Sequence, residues 1–121
     1  MKPNIINLGK KLSLFTEQWS PKIIARMNDH HFKLVKLSGE FVWHAHEDTD
    51  EVFMVLEGEL TIEFQDGEAI LKPGEMIVIP KGAEHRPRAE KECHVLLVEV
   101  MGTVNTGDTD SDLTAPTDEW I

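Results

Sequence analysis

Gly39-Glu-Phe-Val-Trp-His44-Ala-His46-Glu-Asp-Thr-Asp-Glu51-Val-Phe-Met-Val-Leu-Glu-Gly58 is the stretch on which the reading of this chain turns. Two histidines stand two apart. A short acidic segment follows, and then a carboxylate opens the β-rich run Glu51–Leu56. Successive strand residues point to opposite faces, so a strand over Glu40–His46 projects both imidazoles to one side. Glu40 and Val42 share that side, and Phe41, Trp43 and Ala45 take the other. Residues 47–50 read as a loop. If the strands on either side of that loop pair, Glu51 lies beside the two histidines.

Working outward, Glu59–Phe64 alternates polar and apolar residues. With Glu51–Leu56 and the Glu57-Gly58 turn it predicts a β-hairpin. Asp66-Gly67, Pro73-Gly74 and Pro80-Lys81-Gly82 mark further turns. Between and after them, Glu68–Leu71, Glu75–Ile79, His85–Ala89 and Cys93–Val100 read as strands. Upstream, Lys22–Arg26 and Phe32–Leu37 read as strands, with turns at Asn28-Asp29 and Ser38-Gly39. Residues 1–20 form a lead-in, irregular or briefly helical, in which Leu8, Leu12 and Phe15 share one face. No long helical period occurs. Short strands punctuated by close-spaced turns predict an all-β antiparallel sandwich or barrel. Gly102–Ile121 is rich in Thr, Asp and Gly and reads as a loop-like acidic tail. Its terminal Trp120-Ile121 is expected to anchor it on the body or on a partner subunit.

Composition sets the outer bounds. At 121 residues, 40% apolar and 28% charged, the chain is expected to be one domain with its own core. The barrel core is placed at about residues 22–101. No apolar run approaches the roughly 20 residues of a membrane-spanning helix. The opening MKPNIINLGKK lacks an apolar signal core, and Cys93 is the only cysteine. Together these point to a reducing cytoplasm. A net charge of −10 disfavours nucleic acid and anionic membranes as partners. Residues 1–37 hold 7 basic and 2 acidic side chains, and the last twenty hold no basic one. A basic N-terminal segment is therefore expected to pack on an acidic body.

Chemistry concentrates on His44, His46, Glu51 and His85, the last standing just after the Pro80-Lys81-Gly82 turn. Three imidazoles and one carboxylate suit a first-row divalent metal. On an octahedral ion they leave two positions for water or substrate, as in a reactive site. Gly39, His44, His46, Glu51 and Gly58 fall in the order G-x4-H-x-H-x4-E-x6-G, and Gly74, Pro80, Gly82 and His85 as G-x5-P-x-G-x2-H. This double pattern resembles the two signature motifs of the cupin superfamily, over about residues 39–100. It departs from them in the spacing of Gly39 and in carrying Ala89 where the family usually has asparagine. The resemblance implies a small two-sheet β-barrel of jelly-roll type. It also implies that His44, His46, Glu51 and His85 ligate one divalent transition metal per chain, whether zinc, iron, nickel or manganese. Single-domain relatives commonly pair, so a homodimer is expected, with the basic N-terminal strand and Trp120-Ile121 as candidate contacts.

The expected function is a metal site that binds or acts on a small organic acid or sugar derivative, as an isomerase or dioxygenase would. The competing readings are a barrel that binds a small ligand without turnover and a metal-stabilised structural protein. Glu40 is the one candidate general base. Val42, Phe53, Val55, Met76 and Val78 are expected to line the barrel. Arg86 and Arg88 read as surface charges, His30-His31 as solvent-facing, and one of Cys93 and His94 as core.

Overall fold

The computed structural model describes residues 1–121. It contains α1 (Leu8–Leu12) and seven strands: β1 (Lys22–Met27), β2 (His30–Glu40), β3 (Glu51–Glu57), β4 (Leu60–Phe64), β5 (Gly67–Leu71), β6 (Met76–Ile79) and β7 (His85–Val100). Every ladder is antiparallel. One run of neighbours is β1-β2-β7-β3-β6, and β4 pairs with β5 and β7.

The long strand β7 organises this arrangement. Its second half pairs with β3, Val52 facing Val98, and its first half pairs with β4, Thr61 facing Arg88. β2 follows it along both halves, with a register slip between Leu37 and Gly39. The two long strands thus run through two sheets that face each other. No ladder joins β5 to β6, so the barrel is cupin-like but not a closed hydrogen-bonded ring. Between the sheets lies a core that includes Leu37, Phe53, Val55, Leu60, Ile62 and Val95.

Several expectations are corrected. β3 and β4 do not form a hairpin, because each pairs with a different half of β7. The chain crosses between sheets at Gly58, whose φ is +84°. A Cβ there would stand 2.9 Å from the Glu92 carbonyl oxygen, so only glycine fits this left-handed corner. Ser38-Gly39 is not a turn: β2 runs through it as a bulge. Residues 41–46 are not a regular strand. The Phe41 amide donates to the Pro87 carbonyl, and His44 exchanges both backbone bonds with His85. Pro87 has no N–H to return, so the ladder breaks between those two points. His85–Ala89 and Cys93–Val100 are one continuous strand.

The lead-in and the tail both fold back on the body. Asn7 caps α1 by accepting from the Lys10 amide, and Leu8 and Leu12 pack with Phe15, Ile24 and Leu34 outside the barrel. Ile121 joins this cluster, and its amide donates to the Ile23 carbonyl at 3.1 Å. The anchor is therefore seated on β1 of its own chain. Lys22 ion-pairs with Glu17 of the lead-in and with Glu119 of the tail.

Candidate metal centre

Each side chain of the site is aimed by a different local device. His44 and His46 come from the extended segment after the β2 bulge. Glu51 is the first residue of β3, and His85 the first of β7. All four are buried, and their ligand atoms lie within 4.8 Å of one another. His46 Nε2 stands 3.4 Å from Glu51 Oε2, and His85 Nε2 stands 3.7 Å from Glu51 Oε1. The Glu40–His46 segment and β3 are not paired. Glu51 pairs with Ile79 of β6 and reaches the histidines through the interior.

Two backbone carbonyls fix the imidazole tautomers. His44 Nδ1 donates to the Val42 oxygen at 2.9 Å, and His85 Nδ1 donates to the Ala83 oxygen at 2.8 Å. That leaves the Nε2 lone pairs free for the centre of the cluster, as in metal-ligating histidines generally. His46 Nε2, His85 Nε2 and Glu51 Oε1 are buried with no hydrogen-bond partner. Orphaned buried polar atoms are costly. A divalent cation between them would satisfy all three, so the residues present fit a metal ion.

The electrostatics agree. Burial, reinforced by the neighbouring His85, pushes the His44 imidazole down to about 4, so it is neutral and ready to ligate at pH 7. Burial alone would raise the Glu51 carboxyl, but the adjoining Glu99 carboxyl and the His46 and His85 imidazoles hold it below the usual carboxylate value.

Sequence reasoning missed the charged pair behind Glu51. Glu99 and Lys33 are fully buried and joined at 2.8 Å. Burial and the adjacent Glu51 carboxylate push Glu99 well above its ordinary value, against the pull of Lys33. The signal lay in the β2–β7 pairing. Once His31 faces Glu99 and Lys33 faces Leu97, the inward face of both strands carries a charge of each sign. His31 itself is buried, contrary to expectation, with its ring edge-on to Trp120 at 5.6 Å.

The remaining candidates sort as follows. Glu40 is exposed and paired with Arg86, so it leaves the ligand face. Arg86 and Arg88 both bond Glu63 at 2.8 Å and are surface charges. Cys93 is core, and burial raises its thiol to about 11. Phe53 and Val55 line the interior, and Val42 packs beside it. Met76 and Val78 face outward, because Phe53 faces Ile77 across the β3–β6 ladder and cross-strand partners share a side. A small cavity of about 30 Å³ adjoins His44 and Glu51 and is walled by Trp19, Val35, Leu37, Phe41, Phe53 and Leu97. Asn105 and the buried Glu99 carboxyl add polar groups to it.

This geometry defines a two-sheet barrel with a His₃Glu cluster inside. The family model described as "Cupin domain" matches residues 31–101. The chain belongs to the cupin family. It is 51% identical over 67 residues to the uncharacterized protein YdbB of Bacillus subtilis (strain 168), a match covering 54% of this chain and 59% of that one. Among solved structures it resembles a cupin-2 domain containing protein from Shewanella frigidimarina, at 57% identity and a TM-score of 0.79, over 79% of this chain and 94% of that one. A protein from Neisseria meningitidis is 41% identical with a TM-score of 0.74, over 80% and 99% of the two chains.

Proposed function

We propose that His44, His46, Glu51 and His85 ligate one divalent transition metal ion, and that the barrel beside it receives a small organic acid. The convergence of three orphaned ligand atoms on one point carries this reading. The four residues supply three neutral donors and one negative charge, so the centre stays net positive and favours an anionic oxygen ligand. When bound, such an ion polarises a ligand oxygen as a Lewis acid. The chain's own contribution is to fix the ring tautomers through Val42 and Ala83 and to exclude water with Phe41, Phe53 and Leu97. The polar groups on that wall are His44, Glu51, Glu99 and Asn105.

Binding without turnover is the second reading. It is favoured by the position of Glu40, which is tied to Arg86 on the surface and unable to serve the site as a base. Isothermal titration of the metal-loaded protein with a panel of small carboxylates and monosaccharides, followed by product analysis, tests both readings. Binding of carboxylates but not sugars is expected. Sugar binding alone would overturn the substrate class, and product formation would overturn the second reading.

We further propose that the chain pairs with a second copy of itself through the outer face of β3 and β6. Two apolar rows cross that sheet. Leu34, Leu96, Met54 and Met76 form one, and Phe32, Val98, Val52 and Val78 the other. α1 and its neighbours cover the β2 end, while Met76 and Val78 at the far end remain 53% and 52% exposed. Trp120-Ile121 and the free edge of β1 bond each other within the chain.

A further inference from the structure

The segment between the two site histidines is held by a piece of chain outside the family match. Ala45 is buried, and both its backbone groups are bonded to the acidic tail. Its amide donates to Asp108 Oδ1 at 3.1 Å, and its carbonyl accepts from the Asp108 amide at 3.2 Å. Thr109 Oγ1 donates to the Trp43 carbonyl at 2.8 Å. Gly107 makes the approach feasible. It has a φ of +58°, and a Cβ there would stand 2.2 Å from the Ala45 oxygen and 3.3 Å from His44 Cδ2. The tail backbone therefore lies directly against the Ala45 peptide and the edge of the His44 ring.

The strap is itself fastened. Asn105 donates to the Trp19 and Leu113 carbonyls and accepts from the Ala115 amide. Thr106 is fully buried and shares a 2.6 Å hydrogen bond with Thr114. Without the tail, residues 41–46 would keep only the bonds to Pro87 and His85 described above, along with the Gly82 amide bond to the His46 carbonyl. The Ala45–His46 peptide would then keep no hydrogen bond, and the His44–Ala45 peptide only the one from the His85 amide to the His44 carbonyl.

We propose that residues 107–109 form a positioning strap for the metal centre, in which Asp108 sets the spacing of His44 and His46 by holding both polar groups of Ala45. The inference rests on the metal-site reading above. Asp108 is a positioning residue: it acts on the histidines through the Ala45 backbone. Residues that orient ligands from behind affect metal affinity about 10–100-fold when lost.

The test is titration of the metal-free full chain with Co²⁺ alone, comparing the native sequence with Asp108→Ala and Asp108→Asn. Far-UV circular dichroism of each protein accompanies the titration. Asparagine keeps a side-chain oxygen for the Ala45 amide, and alanine does not. The expected result is one Co²⁺ per native chain, affinity about 10–100-fold weaker in Asp108→Ala, and recovery to within a few-fold in Asp108→Asn. Should Asp108→Ala fail to fold, Thr109→Val removes only the bond to Trp43 and is expected to weaken Co²⁺ several-fold. Native-like affinity in the folded alanine variant, or in Thr109→Val where alanine does not fold, would overturn the strap and leave the metal site standing. Failure of the native chain to bind Co²⁺ would overturn both.

Discussion

His44 ties the candidate metal centre to the stability of the fold. Its two states differ in solvation: buried and neutral when folded, titrating near 6.5 when unfolded. Between pH 6.5 and about 4 the unfolded chain therefore binds the extra proton, and stability falls as pH drops through that window. The shift is worth about 3 kcal/mol for the metal-free protein. Glu51, with its carboxyl held low, works in the same direction. Glu99, with its carboxyl held high, works in the opposite one. His46 and His85 face the same ring. Urea unfolding of metal-free protein from pH 7 to pH 4 is expected to show this loss, and His44→Gln should flatten it. An unchanged slope in the variant would assign the loss to other groups. Lys33 offers a second test. Lys33→Ala leaves Glu99 buried without its cation and is expected to cost about 3–5 kcal/mol. The double change Lys33→Met, Glu99→Leu should restore most of that, since two apolar side chains need no partner. If the double variant is as unstable as the single, the pair has a role that packing cannot replace.

The strands illustrate what a sequence can and cannot specify locally. Six of the seven were readable as single strands from alternation and turn residues, most boundaries falling within two residues of the observed ones, while β7 was read as two strands and Glu40–His46 as one that does not form. Their pairing was less accessible. Glu57-Gly58 looks like a hairpin turn because the local signals of a hairpin and of a sheet-to-sheet corner are the same. Only the backbone of Glu92 and Cys93 packed against Gly58 distinguishes them. The clustering of His44, His46, Glu51 and His85 was readable because the motif spacing places them together. Lys33 and Glu99 were not, since charged residues on an alternating strand usually face water and only the barrel register turns these two inward. A test belongs to the corner. Gly58→Ala forces a Cβ into a left-handed, crowded position and is expected to lower stability by about 1–3 kcal/mol. Gly74, also at positive φ but with open space around it, should tolerate alanine with a smaller loss in the same thermal melt. Equal losses at both positions would mean that backbone strain alone, without the Glu92 contact, accounts for the cost.

The assembled protein is a barrel with the candidate metal centre inside and with Met76 and Val78 exposed on its outer face. The same strands serve both: β3 turns Glu51, Phe53 and Val55 inward and Val52 and Met54 outward. A change on the outer face should therefore alter assembly while leaving the metal centre intact. Met76→Glu with Val78→Lys is expected to convert a dimer to a monomer in light scattering, with metal content unchanged. A native chain that is already monomeric at tens of micromolar would contradict the pairing. The central claim is the metal itself, and elemental analysis of the purified, untagged protein after metal reconstitution tests it most directly. Native protein is compared with the double variant His46→Ala, Glu51→Ala. The account predicts about one divalent transition metal per native chain, given one His₃Glu cluster, and none in the variant. A metal-free native protein, or a variant that holds as much metal as the native chain, would contradict it.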